Sequence, residues 1–232
     1  MVASPTAFDC SALGTNNVTL TVTDDGGNTD DCVAVVTVVD NIAPTATCQD
    51  ITIQLNAGGT ASLTAAQIDG GSTDNCTVAS LSASQTNFDC TDLGVNTVTL
   101  TVTDQSGNQS TCNATVTVVD NILPQITCPA NITVNNDAGI CGAVVNYVAP
   151  VGTDNCAGST TTRTAGLASG SLFPVGTTTV TYLVTDASGN TANCSFNVTV
   201  NDNEAPTLNC PANITVNVDA GSCGAVVNYP AP

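Results

Sequence analysis

Three short motifs rich in Asp and Asn recur along the chain and carry its most evident chemistry. The first is Thr-Asp-Asn-Cys, which ends at Cys76 and again at Cys156. The second pairs Thr-Asp with a following Gly-Asn, as in "TDQSGN" at 103–108, and the third is Val-Val-Asp-Asn, as at 38–41. Carboxylate and carboxamide oxygens are ligands that Ca2+ prefers, whereas zinc selects His and Cys. The motifs therefore indicate calcium as one possible role.

The same motifs are also typical of ordinary β-turns that bind no metal. An Asp that opens a hairpin loop accepts hydrogen bonds from its own turn, and a Gly near the end of the loop adopts positive φ without strain. A Pro three residues after Asp-Asn, as at Pro44, marks a linker equally well. A single motif is thus better explained as a turn, and a metal role depends on several motifs meeting in space.

The charge composition argues against several classes of function. The 232 residues carry 19 acidic side chains and a single basic one, Arg163, with no His, for a formal net charge of -18. Nucleic-acid binding relies on Lys and Arg, so no nucleic-acid partner is expected. The lack of His removes the commonest general base, and the lack of Lys removes Schiff-base chemistry. We therefore predict that the protein is not an enzyme.

Twelve cysteines without any Cys-x-x-Cys pair indicate disulfides rather than a zinc site. Disulfides in turn indicate an oxidising, extracellular or cell-surface location. The N-terminal residues resemble no signal peptide, and no later segment is long and apolar enough to span a bilayer. We expect an interior piece of a longer exported protein, with no membrane insertion in this segment.

The motifs recur because the chain is built from repeats. Thr21 and Thr101, which open two of the hairpin motifs, lie 80 residues apart, and Leu183 opens the third 82 residues later. Such a period must be recognised before the fold is assigned. We predict the C-terminal part of repeat one at 1–40, complete repeats two and three at 41–120 and 121–202, and the N-terminal part of repeat four at 203–232.

Within each repeat, the apolar period is that of β-strands. Val98, Leu100 and Val102 alternate with Thr residues, and a Gly-containing turn at 105–108 leads to a second alternating run at 114–120. The pattern contains no long amphipathic helix. Several short strands in units of this length predict an all-β fold of tandem immunoglobulin-like β-sandwich repeats.

This fold would bring the acidic motifs together. In an immunoglobulin-like sandwich, the linker from the preceding repeat, the loop after the second strand and the last hairpin loop share one pole. Carboxylates gathered there repel one another unless a cation is bound. We therefore predict calcium at each joint, with a weak Kd of roughly 0.1 to 1 mM. The predicted ligands are Asp40, Asn41, Asp74, Asn75, Asp104 and Asn108 at the first joint, and Asp120, Asn121, Asp154, Asn155, Asp186 and Asn190 at the second.

The segments "CPANITVNNDAGICGAVVNY" at 128–147 and "FPVGTTTVTYLVTDASGNTANCSFNVTV" at 173–200 resemble the hyalin repeat family. That family is an immunoglobulin-like extracellular module tied to adhesion, which also forms long tandem arrays in bacterial surface proteins. Repeats one and two replace "FPVG" with a segment that contains Cys10 or Cys90, and they resemble a sister repeat of such arrays.

The resemblance implies a structural stalk or filament on a cell surface, with a bacterial source and with neighbouring repeats of the same chain or filament as its partners. The alternative is an adhesin or lectin-type module that binds a glycan or a protein.

Each complete repeat has four cysteines, which permit three pairings, and the sequence alone does not choose among them. The resemblance implies a bond between the first and last cysteine of a repeat, which leaves the other two to each other. The implied bonds are Cys48–Cys112, Cys128–Cys194, Cys76–Cys90 and Cys141–Cys156. The cysteines of the partial repeats, expected to lack partners in the chain, are Cys10, Cys32, Cys210 and Cys223.

Overall fold

A computed structural model describes residues 1–229 and shows an all-β protein, as the alternating pattern predicts. Residues 230–232, the end of predicted repeat four, lie outside the described residues. Helices are limited to 3-10 turns at Cys10–Ala12, Ala65–Gln67 and Cys90–Asp92, and no described helix has the length and hydropathy to cross a membrane. The strands are β1 (Val2–Ser4), β2 (Gly14–Thr23), β3 (Thr29–Val38), β4 (Ile51–Gln54), β5 (Thr60–Ser62), β6 (Val78–Ala83), β7 (Asn87–Asp89), β8 (Gly94–Asp104), β9 (Gln109–Val119), β10 (Ile132–Asn135), β11 (Gly142–Val145), β12 (Thr160–Ala165), β13 (Ser171–Pro174), β14 (Gly176–Thr185) and β15 (Thr191–Asn201).

Repeat two is an immunoglobulin-like sandwich with one shared core. Its four-stranded sheet has the order β4-β9-β8-β6, and its two-stranded sheet pairs β5 with β7. Strand β4 runs parallel to β9, whereas β8 and β9 form an antiparallel hairpin. The inward residues Val98, Leu100 and Val102 are completely buried and pack with Phe88 of the smaller sheet. The alternation of Val and Thr thus places the apolar face inward.

Repeat three has the same arrangement, with one sheet ordered β10-β15-β14-β12 and a second that pairs β11 with β13. Phe173 lies opposite Ala143, as Phe88 lies opposite Ala61 in repeat two. Repeat one contributes a three-stranded sheet, β1-β2-β3, and no strand is present between 203 and 229.

The chain forms two compact units. One comprises Met1–Gln125, Gly152–Thr160 and Val184–Ala192, and the other comprises Ile126–Val151, Thr161–Leu183 and the residues from Asn193 onward. The Cys156 loop and the last hairpin loop of repeat three thus belong to the first unit. The division of the sequence into four repeats stays a prediction.

The structure contains four disulfides. Cys48–Cys112 and Cys128–Cys194 are the two first-to-last bonds that the family resemblance implies. The other two implied bonds are wrong. Cys76 is bonded to Cys10, which was expected to lack a partner, and Cys156 is bonded to Cys90. The thiols that remain free and exposed are those of Cys32, Cys141, Cys210 and Cys223.

The length of a β-strand explains why the second pair of bonds fails. Cys90 lies just before β8, whereas Cys76 precedes Val78, which pairs with Asp104 at the other end of β8. An antiparallel strand rises about 3.4 Å per residue, so the 11 residues of β8 separate these cysteines far beyond the roughly 7 Å that a disulfide spans between Cα atoms. Cys76 and Cys90 therefore cannot bond to each other, and each is bonded to a cysteine of a neighbouring repeat instead.

The same reasoning applies to Cys141 and Cys156. The carbonyl of Cys141 accepts a hydrogen bond from the backbone of Val175, just before β14. Cys156 precedes β12, whose first residue, Thr160, donates to the carbonyl of Thr185 at the end of β14.

Removing the first-to-last disulfide of repeat two should destabilise that repeat. The Cys48→Ala/Cys112→Ala variant should lose about 4 kcal/mol of unfolding free energy, because the bond restricts an unfolded loop of 64 residues. Denaturant unfolding followed by circular dichroism measures this loss. Cys32→Ala removes a free, exposed thiol and serves as the control. An equal loss in both proteins would contradict the assigned role.

Candidate metal centres at the repeat ends

The last hairpin loop of each repeat is fastened to the preceding linker by one Asn side chain. The carboxylate of Asp104 accepts hydrogen bonds from the backbone N–H and the Nδ2 of Asn108, both at 2.7 Å. The same Nδ2 donates to the linker carbonyl of Asp40 at 3.0 Å. Asn190 likewise donates to Asp186 at 2.8 Å and to the Asp120 carbonyl at 3.0 Å. The Asp-Gly-Asn spacing thus shapes the turn and also holds the linker.

The Thr-Asp-Asn-Cys loop brings a second carboxylate to the same place. One oxygen of Asp74, Oδ2, accepts hydrogen bonds from the backbone N–H groups of Cys76 and Thr77, at 2.9 and 3.1 Å. Asn75 Nδ2 donates to Asp40 Oδ1 at 3.3 Å. Loop and linker are therefore joined through side chains, and the second oxygen of Asp74 has no hydrogen-bond donor.

Three carboxylates meet at the first joint. One oxygen from each of Asp40, Asp74 and Asp104 lies within 4.8 Å of the others, and we call this group the first cluster. The second cluster consists of Asp120 and Asp154, which approach within the same distance. The sulfur of Cys156 is also this close, but its disulfide with Cys90 removes it as a thiolate ligand. Both clusters thus offer oxygen ligands only.

Several of these oxygens are buried without a hydrogen-bond donor. They are Asp40 Oδ2 and Asp74 Oδ1 in the first cluster, and Asp120 Oδ2, Asp154 Oδ1 and Asn155 Oδ1 at the second. Asp120 is only 5% exposed. A buried acceptor without a partner is costly, and two carboxylates side by side add repulsion. The only basic side chain, Arg163, donates to the carbonyl of Gly166. A hard cation with oxygen preference fits this donor set.

The remaining predicted ligands have other positions. Asn41 and Asn121 are exposed on the linkers. The amide nitrogens of Asn75, Asn108 and Asn190 face the clusters as hydrogen-bond donors, so these residues position carboxylates and linkers. Asp186 is 6% exposed, and Asn190 donates to both of its oxygens. It does not join the second cluster as Asp104 joins the first.

Comparison with known proteins shows which proteins this chain is similar to. Residues 119–200 match the model of the HYR domain. The chain is 35% identical over 226 residues to hyalin of the sea urchin Strongylocentrotus purpuratus, which covers 84% of this chain. The protein is hyalin-repeat-like. The chain spans 18% of the length of that relative, and the bacterial source stays a prediction.

Solved structures give weaker likenesses. A fragment of protocadherin gamma B7 with extracellular cadherin domains 1–4 is 13% identical, with a TM-score of 0.37 over 83% of this chain and 59% of that chain. A fragment of human protocadherin-24 with domains 1–2 is 15% identical, with a TM-score of 0.34 over 71% of this chain and 100% of that chain. These TM-scores are too low to carry an argument. The HYR match, the likeness to hyalin and the disulfides characterise the chain as an extracellular protein.

Two disulfides of this hyalin-repeat-like chain join consecutive repeats. Cys10–Cys76 connects repeats one and two, and Cys90–Cys156 connects repeats two and three, each with a sequence separation of 66 residues. The signal for these bonds is present in the sequence: the cysteine that precedes each "LG" segment lies 66 residues before a Thr-Asp-Asn-Cys cysteine. It was missed because four cysteines per repeat suggest pairing within the repeat.

Gly59 allows the third repeat to approach the second at this bond. It has a φ of +72°, and a Cβ built on it would lie 2.9 Å from both Cys90 Sγ and the Asn155 carbonyl oxygen. Those distances are shorter than normal contacts, so a side chain here would force the loop away. The Nδ2 of Asn155 also donates to the carbonyl of Asn56 at 3.4 Å, next to the same turn.

Hydrogen bonding sets the charge state of Asp104. Burial raises its pKa, but hydrogen bonds from the side chain and backbone of Asn108 outweigh burial, and the pKa lies below the usual Asp value. A lowered folded-state pKa contributes stability above the unfolded pKa, and this stability is lost as the pH falls through the folded pKa.

Asn108→Ala should therefore lower the melting temperature at pH 7 by about 5 °C and reduce its fall between pH 7 and pH 3. The variant loses the donor to Asp104, which raises the pKa of that carboxyl toward its ordinary value. Thermal unfolding across this pH range measures both effects. Asn113→Ala is the matched control, because Asn113 contacts Thr99 on the exposed face of the same hairpin. An unchanged pH profile in Asn108→Ala would contradict the assigned bond.

Proposed function

We propose that this chain is a segment of a structural stalk or filament of the extracellular surface, in which each joint between repeats is braced by a disulfide and by Ca2+. The observation that carries the proposal is the coincidence of three features at one joint. A linker, a carboxylate cluster with orphaned oxygens, and a cross-repeat disulfide all lie within a few residues of one another.

The disulfide and the carboxylates restrain different parts of the joint. Cys10–Cys76 fixes the Thr-Asp-Asn-Cys loop of repeat two to the preceding repeat. Asp74, two residues before Cys76, lies against Asp40 of the linker. The covalent bond thus holds the loop, whereas the carboxylate contact decides whether the linker stays against it.

Calcium would turn a repulsive contact into an attractive one. Asp40, Asp74 and Asp104 would hold an ion at the first joint, and Asp120, Asp154 and the carboxamide oxygen of Asn155 would hold one at the second. The ion supplies positive charge that no side chain in the chain provides at these clusters. Without the ion, these buried carboxylates repel one another because they carry like charges, and this repulsion opposes the contact between the linker and the Thr-Asp-Asn-Cys loop.

The adhesin or lectin alternative gains no support from the aromatic residues. Phe88, Phe173 and Phe196 are at most 3% exposed and lie in the cores of the sandwiches, and among the described residues Tyr229 is the one exposed aromatic side chain, so no exposed aromatic cluster forms. Tyr147 packs edge-on against Phe196, with ring centroids 5.0 Å apart. Sugar-binding surfaces that stack aromatic rings would need such residues outside the cores. We therefore favour a structural role over recognition of a glycan, and we propose no enzymatic activity.

Calcium should stabilise the chelator-treated protein. At 10 mM Ca2+, a site with a Kd of about 0.1 mM adds about 2.7 kcal/mol to the unfolding free energy. Thermal unfolding in buffer with Ca2+, compared with buffer of equal ionic strength adjusted with NaCl, measures this gain.

The Asp120→Asn/Asp154→Asn variant distinguishes calcium binding at the second cluster from general screening of the negative charge by salt. It removes two negative charges from the second cluster and should lose the calcium-dependent gain of that joint, while its melting temperature without calcium should rise because the repulsion is relieved. Asp25→Asn, at an exposed hairpin position, is the matched control and should respond to calcium as the original chain does. Equal calcium responses in all three proteins would overturn the metal assignment and leave the Asp motifs as turns.

A further inference from the structure

Cys141 is a free, exposed thiol at the end of repeat three from which the chain continues into repeat four. Repeat three has no cysteine at the position of Cys90. Strand register shows where Cys141 lies instead. In repeat two, Thr60 pairs with Asp89, so Gly59 faces Cys90. In repeat three, Gly142 pairs with Pro174, so Cys141 faces Val175, whose N–H donates to the Cys141 carbonyl at 3.3 Å. Cys141 of repeat three thus corresponds to Gly59 of repeat two, and its strand partner Val175 corresponds to Cys90.

The geometry of repeat two shows what a side chain in that place would contact. A Cβ on Gly59 would lie 2.9 Å from the sulfur of Cys90 and 2.9 Å from the Asn155 carbonyl, one residue before Cys156. Residues paired across two strands project their side chains to the same face of the sheet. A cysteine on either strand at this end of a repeat is therefore directed at the same target, the Thr-Asp-Asn-Cys loop of the next repeat.

The linker that follows repeat three lies beside Cys141. Glu204 Oε2 accepts hydrogen bonds from the Gly139 N–H at 2.7 Å and from Asn136 Nδ2 at 3.4 Å. Cys141, Asp202, Glu204 and Pro206 line one shallow cavity. The turn that carries Cys141 is thus in contact with the chain that leads to repeat four.

We propose that Cys141 is the cross-linking cysteine of repeat three and forms a disulfide with the Thr-Asp-Asn-Cys cysteine of the repeat that follows. Two thiols lose two protons and two electrons to form one S–S bond, and a disulfide oxidant such as oxidised glutathione is reduced to two thiols. The same sequence, Cys-Gly-Ala-Val-Val-Asn-Tyr, recurs at 223–229 and assigns Cys223 the same role one repeat later. The inference rests on the tandem arrangement of the proposed function and is independent of calcium.

The test uses the full chain extended after residue 232 by a copy of its own residues 151–202, which completes repeat four. The protein is oxidised with a glutathione buffer, alkylated without reduction, and digested for mass spectrometric mapping of disulfides. We expect a peptide that links Cys141 to the appended copy of Cys156, and a first-to-last bond between Cys210 and the appended copy of Cys194. Detection of Cys90–Cys156 in the same sample shows that the existing joints are folded.

Two variants of the extended chain complete the design. Cys141→Ser should convert the appended copy of Cys156 from fully protected to fully alkylated, and Cys223→Ser should leave the Cys141 bond in place. Alkylation of Cys141 together with a bond between Cys223 and the appended copy of Cys156 would overturn the inference. The map is recorded with calcium and with chelator, so that failure of the metal proposal and failure of the disulfide proposal are observed separately.

Discussion

The hydrogen bonds of one carboxamide organise each repeat end. Asn108 Nδ2 donates both to Asp104, at the end of β8, and to the carbonyl of Asp40 in the linker. The hairpin turn therefore sets the position of the linker, and the linker carries the carboxylate that meets Asp74. Asn190 repeats the arrangement with Asp120 and Asp186. Because the turn, the linker and the acidic cluster depend on the same side chain, they recur together in successive repeats.

The small cores explain why the repeat ends matter. The core of repeat two consists mainly of Val, Leu and Ile, and that of repeat three combines Val with Phe173, Tyr182 and Phe196. A domain of about 80 residues buries a limited fraction of its surface and gains from covalent restraint. Cys48–Cys112 supplies that restraint inside repeat two, whereas Cys90–Cys156 acts between repeats. The first kind of disulfide therefore stabilises the fold of a single repeat, and the second kind stabilises the contact between two repeats.

Strand alternation was sufficient to predict the all-β fold and the inward residues Val98, Leu100 and Val102, because side chains alternate faces with a period of two. The immunoglobulin-like topology expected from this pattern also predicted that Asp40, Asp74 and Asp104 would lie together, as they do. The pairing of Cys76 could not be obtained in this way. Bonds within a repeat and across repeats have nearly equal separations, 64 residues for Cys48–Cys112 and 66 for Cys10–Cys76. The separation therefore does not distinguish the two kinds of bond, whereas the strand register places Cys76 and Cys90 at opposite ends of β8.

The separation of the two bond types also determines what each can restrain. A bond within a repeat closes a loop that consists of that repeat's own strands, so it limits the unfolded chain. The bond from Cys90 to Cys156 closes a loop that contains the linker at Asp120 as well as the strands β8 and β9. It limits the unfolded chain to the same extent, because its loop is of nearly the same length, and it also ties the Cys156 loop to Cys90 of repeat two. The carboxylates of Asp120 and Asp154 lie inside this closed loop. The covalent bond therefore keeps the Cys156 loop next to Cys90 whether or not the repulsion between these two carboxylates is relieved.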